Sequence, residues 1–70
     1  MTVEIAISVK EPAVGRIGAV AQTLETLGMD VSDVHEIIGV VTGRCEEKNL
    51  AGLRSHPDVF AVETSRNLRA

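Results

Sequence analysis

Near the start of the chain, Val3, Ile5, Ile7 and Val9 alternate with Glu4, Ala6 and Ser8. This period of two predicts a strand with one buried face. Pro12 interrupts the pattern, because proline supplies no N–H and disfavours helix at Glu11. From about Ala13 the period lengthens. Ile17, Val20, Ala21, Leu24 and Leu27 fall at i, i+3, i+4, i+7 and i+10, one apolar stripe along a helix. Gly28 is placed to end that helix as a left-handed cap residue. Gly15 and Gly18 each cost such a helix about 1 kcal/mol relative to alanine, which points to close packing or a tight entry.

Val31 to Arg44 is rich in β-branched residues, with Gly39 near its middle. That pattern predicts a hairpin whose turn lies within residues 35–39. Cys45-Glu46-Glu47 then opens a short helix, its two glutamates in the first turn where the macrodipole favours negative charge. Leu50 and Leu53 face the core, and His56-Pro57 stops the helix. Val59 to Thr64 reads as a last strand, followed by the polar tail Ser65-Arg66-Asn67-Leu68-Arg69-Ala70. The order is strand, helix, strand, strand, helix, strand. It predicts an α+β, ferredoxin-like βαββαβ sandwich, a four-stranded antiparallel sheet with two helices on one face. Residues 1–70 form a single domain on this reading, with 65–70 as its tail. The opposite sheet face, built from the residues out of phase with Val3, Ile5 and Ile7, is left open as a contact surface.

Composition narrows the function classes. Apolar residues make up 44% and charged residues 24% of the chain, a globular balance. A chain this short buries only about 60% of its unfolded surface, so its stability is modest. The lone cysteine, Cys45, rules out a disulfide framework and any cluster or cage that needs several thiolates. Phe60, the lone aromatic, argues against single-stranded nucleic-acid binding, which uses stacking platforms. Net charge is −3, from seven basic and ten acidic side chains, which gives no phosphate-binding field for DNA or RNA. No apolar run is long enough for a membrane span, and MTVEIAISVKE carries acids where a signal peptide would carry bases. A cytoplasmic protein, monomeric or weakly dimeric, is expected.

Catalytic chemistry is not visible. There is no Ser-His-Asp spacing and no phosphate loop. His35 and His56 stand 21 residues apart without a cysteine or carboxylate at ligand spacing, so no metal is expected. Glu46 and Glu47 diverge by about 100° on a helix and do not form a catalytic pair. The expectation is a binding protein rather than an enzyme, with no cofactor.

The stretch from Val31 to Arg66, especially VVTGRCEEKNLAGLRSHPDVFAVETS, resembles the propeptide-like inhibitor family of subtilisin proteases. The resemblance is carried by Val40, Val41, Thr42 and Gly43 at the end of the hairpin, acidic Glu46-Glu47, the pair Leu50 and Leu53, then Pro57-Asp58-Val59 and Val62-Glu63. It implies a ferredoxin-like fold whose open sheet face lies on surface helices of a subtilisin-type serine protease, while the C-terminal tail enters the cleft like a bound product. On this likeness Glu63 caps a protease helix N-terminus. Ser65 stands where the family has a second acid, and can accept a cap hydrogen bond without the charge. The tail comprises Arg66, Asn67, Leu68, Arg69 and Ala70, with Ala70 nearest the catalytic serine. Asn67 falls at the fourth subsite, where these clefts favour an apolar side chain, and a one-residue shift brings Leu68 there.

The N-terminal half, EPAVGRIGAVAQTLETLGMDVSDV, is similar to the opening of ACT regulatory domains, which bind small ligands such as amino acids between paired domains. Here Ala13 and Val14 separate Pro12 from Gly15, a departure from that family's turn. That likeness implies a dimer and a site around Glu11 to Gly18. A plain adaptor that binds an unrelated partner by its sheet face is the third alternative.

Overall fold

The alternation at the start of the chain builds β1, Thr2–Val9, in the computed structural model, which describes residues 2–64. A 3₁₀ helix over Glu11–Arg16 follows and runs directly into α1, Ile17–Thr26. The chain returns through β2, Met29–His35, and β3, Val40–Glu46. A second 3₁₀ turn, Glu47–Asn49, leads into α2, Leu50–Arg54, and β4 closes the sheet over Val59–Thr64. The sheet order is β2-β3-β1-β4, and every neighbouring pair is antiparallel. This is the ferredoxin-like α+β arrangement expected from the order of elements.

Local chemistry accounts for the boundaries. Pro12 sits in the first turn of the 3₁₀ helix, where its fixed φ suits a helical start and its missing N–H costs nothing. At the far end of α1, Leu27 N–H donates to the Thr23 carbonyl at 3.0 Å and Gly28 N–H to that of Glu25 at 3.1 Å. Gly28 takes φ +108°, a conformation that side chains rarely adopt, so the cap read from the sequence is present. Leu27 lies past the helix and is exposed, so the buried stripe stops at Leu24. The hairpin turn occupies 36–39, closed by Gly39 N–H donating to the His35 carbonyl at 2.9 Å.

One core unites these elements. Val3, Ile5, Ile7 and Val9 are buried together with Ala13, Ile17, Val20, Ala21 and Leu24, and with Leu53 from α2. Ile7, Leu24, Val41 and Leu53 are the largest fully buried side chains. Burying each is worth about 1.5–3 kcal/mol, so a few residues carry most of the stability. Leu50 is only partly buried, packed against the edge of the cluster.

Two sequence expectations need correction. Glu46 belongs to β3, where it pairs with Thr2, and only Glu47 opens the 3₁₀ turn. Pairing with the full length of β1 holds Cys45 and Glu46 in the strand. Gly15 and Gly18 do not mark close packing, because a Cβ on either would meet nothing within 4 Å. The glycine that packing does require is Gly43. A Cβ there would overlap the Asp30 carbonyl and lie 3.0 Å from Val31 Cα. Gly43→Ala should therefore destabilise the domain by about 1–3 kcal/mol. Gly18→Ala, in open space inside α1, should stabilise it by up to about 1 kcal/mol. Urea denaturation followed by circular dichroism checks both. Equal midpoints for the two variants would contradict the packing difference.

Candidate functional site

Side chains out of phase with the core lie on the sheet face that neither helix covers. Strand register arranges them in rows. Asp30, Arg44 and Glu4 form one row across β2, β3 and β1. The next row is Asp33, Thr42, Ala6 and Glu63, and the third is His35, Val40, Ser8 and Ala61. With Glu46, opposite Thr2, the face carries Glu4, Asp30, Asp33, Glu46 and Glu63 against Arg44, an acidic balance among the described residues. Ala6, Ser8 and Ala61 keep its middle low and flat.

Glu63, the first partner-binding residue read from the sequence, is exposed on this face opposite Ala6, one residue before β4 ends. The others, Ser65, Arg66, Asn67, Leu68, Arg69 and Ala70, lie outside the described residues. Both histidines have local roles. His56 Nδ1 accepts the Asp58 backbone N–H at 2.9 Å and so shapes the turn into β4. His35 Nε2 lies 3.4 Å from Thr42 Oγ1 on the uncovered face. Among the described residues, no three of the His, Cys, Asp and Glu side chains are gathered to hold a metal ion. No described helix is long and apolar enough to cross a membrane.

The segment Glu11–Gly18 is helical throughout. Its Arg16 guanidinium donates to an Asp58 carboxylate oxygen at 3.1 Å, tying the 3₁₀ helix to the turn before β4. At this exposure the pair adds about 0–1 kcal/mol. Lys10 N–H reinforces the same tie by donating to the Asp58 carbonyl at 2.8 Å.

Two irregularities escaped the sequence reading. The β2–β3 register shifts between Val31 and Asp33, with Ser32 as the extra residue. The β1–β4 register shifts between Ser8 and Val9, with Phe60 as the extra residue, 75% exposed. At the same end of the sheet, Ile37 and Ile38 in the hairpin turn are 98% and 69% exposed. Beside Ser32 the uncovered face dips into a concavity of about 360 Å³, lined by Glu4, Ile5, Ala6, Ser32, Thr42, Gly43 and Arg44. A second, of about 220 Å³, lies on the other side of Arg44, over Thr2, Gly28, Asp30, Cys45 and Glu46. A glycine inside a run of β-branched strand residues was the available signal for this site, and Gly43 is that glycine.

The chain matches no protein-family model, no curated protein and no solved structure.

Cys45 lies on the core side of β3, paired with Val3 and Met29. Burial, and secondarily the charge of Glu46, pushes its thiol above the ordinary range. An elevated folded-state value keeps its stability contribution whole below the unfolded thiol's pKa, near 8.5, and loses it as pH rises further. Stability should therefore fall above about pH 8.5, and Cys45→Ala should remove that part of the slope. Urea midpoints between pH 7 and 10 test this; identical slopes for the two proteins would contradict it.

Proposed function

We propose that this chain is a small protein-binding module that inhibits a subtilisin-type serine protease or assists its folding. The uncovered sheet face docks on the protease, and the segment from Ser65 to Ala70 enters the cleft as a bound product would. The work is done in the cytoplasm, where a lone thiol such as Cys45 stays reduced. What chiefly supports the reading is the position of Glu63. It is exposed on a face that neither α1 nor α2 covers, one residue from the end of an edge strand. A carboxylate there can meet the unpaired N–H groups of a partner helix. The edge strand β4 ends at Thr64, immediately before the segment from Ser65 to Ala70 in the sequence. A rigid scaffold carries the ordering cost of such a tail, so few extended residues are needed for tight binding.

The test is a titration of a purified subtilisin-type protease with the full chain and with a chain lacking Arg66 to Ala70. The full chain should inhibit competitively, and truncation should weaken inhibition by about 100-fold or more, as loss of a dominant contact cluster does. Glu63→Ala should weaken it by about 3- to 30-fold, the equivalent of one helix-terminus contact. Circular dichroism confirms that each variant is folded. No inhibition by a folded full-length chain would overturn the protease reading and leave the face to a different protein.

A further inference from the structure

Gly43 shares the core-facing phase of Val41 and Cys45, and the Asp30 carbonyl fills the space its Cβ would take. At this point, then, β2 passes on the core side of β3, and the uncovered face steps down. The bulge at Ser32 supplies the extra residue that lets β2 climb back into register by Asp33. The concavity of about 360 Å³ is the outcome of these two features, so it is built into the backbone.

Its lining is chemically mixed. The Ala6 side chain supplies a methyl group, Thr42 and Ser32 carry hydroxyls, and Arg44 stands beside them, while Ile5, whose side chain is buried in the core, contributes backbone only. The Arg44 guanidinium makes no hydrogen bond or ion pair with any described residue. Its cross-strand neighbours are nevertheless both acids, Glu4 on β1 and Asp30 on β2. A planar guanidinium fork matches a carboxylate edge-on through two parallel N–H···O bonds. The neighbouring acids disfavour any anion, and the penalty grows with its charge. They repel a phosphate dianion more strongly than a singly charged group.

We propose that the concavity over Gly43 is a carboxylate-binding site, with Arg44 as the counter-charge and the Thr42 and Ser32 hydroxyls as neutral donors. The Ala6 methyl meets the carbon next to the carboxylate. A free small acid and the C-terminus of a peptide present the same group, and the chain recognises that shared chemistry. The site does not rest on the protease reading. It involves neither Glu63 nor the tail, and it is tested on the full chain alone.

The experiment is a titration of the ¹⁵N-labelled full chain, followed through its amide resonances at constant ionic strength. The probes are acetate, an N-acetylated alanine tripeptide, the same tripeptide as its C-terminal amide, and inorganic phosphate. Saturable shifts should centre on Ser32, Thr42, Gly43 and Arg44. The free-acid tripeptide should bind at least about tenfold more tightly than its amide, the margin of one charge-assisted contact. Arg44→Gln should weaken binding by a similar factor, whereas Arg54→Gln, on α2, should leave it unchanged. Acetate binding as well as the tripeptide would identify a free small acid as sufficient. Tighter binding of the tripeptide would identify a peptide terminus. Both results support the site. It would be overturned by the absence of saturable shifts, by equal binding of acid and amide, by tighter binding of phosphate, or by undiminished binding to a folded Arg44→Gln chain.

Discussion

The structure depends on the one-sided burial of β1. Val3, Ile5, Ile7 and Val9 all point into one core, and Glu4, Ala6 and Ser8 all point away from it. Because β1 lies between β3 and β4, this alternation constrains both pairings at once. A slip of one residue against either neighbour would carry a glutamate, an alanine and a serine into the core and four large aliphatic side chains into water. The helices must then pack on the aliphatic side. Both α1 and α2 are used on that side, and among the described residues no helix is left for the opposite face. The uncovered face is thus a consequence of how the core is made.

Irregularity is confined to the outer strands. β1 and β3 pair without interruption from Thr2–Glu46 to Ser8–Val40, whereas β2 and β4 each carry an extra residue. Bulges on edge strands increase local twist and make the edge a poor template for another chain. They also divide the uncovered face. The extra residue in β4 is the exposed Phe60, between the pairs Ser8–Ala61 and Val9–Val59, while the one in β2 lies at the concavity next to Arg44. The acids on the face oppose stacking of two copies through it, because like charges would be brought opposite one another.

Much of this was readable from the residues. The period of two located β1, the β-branched run placed the hairpin turn, and Val59 to Thr64 was bounded by Pro57 and the polar tail. Gly28 announced its own conformation. What failed did so for physical reasons. Glu46 stays in a strand because its partner β1 extends to Thr2, and pairing length is a tertiary property. Leu27 fits the helical period but follows the last helical residue, where the cap turns it outward. Gly39 drew attention in the hairpin segment, yet the close backbone approach is at Gly43. Glu63 was singled out by the likeness of its strand to an inhibitor family, and the register of β4 on β1 sets it opposite Ala6 on the uncovered face. Strand periodicity could not give the concavity, since a bulge changes parity midway along a strand and only the neighbouring strand reveals it.

Glu63 and Arg44 belong to different parts of the same face, and their separation bears on how they work. Glu63 is on edge strand β4, and Arg44 is on β3, with β1 between them. Two strand spacings amount to about 9.5 Å, and Arg44 also stands one row along. At physiological ionic strength the screening length is about 8 Å, so the charge states of the two side chains influence each other little across water. They share no partner residue, which makes their contributions to binding close to additive. A carboxylate held at Arg44 therefore leaves Glu63 able to meet a helix terminus. A partner large enough to cover the face can use both, while a small acid uses only the first.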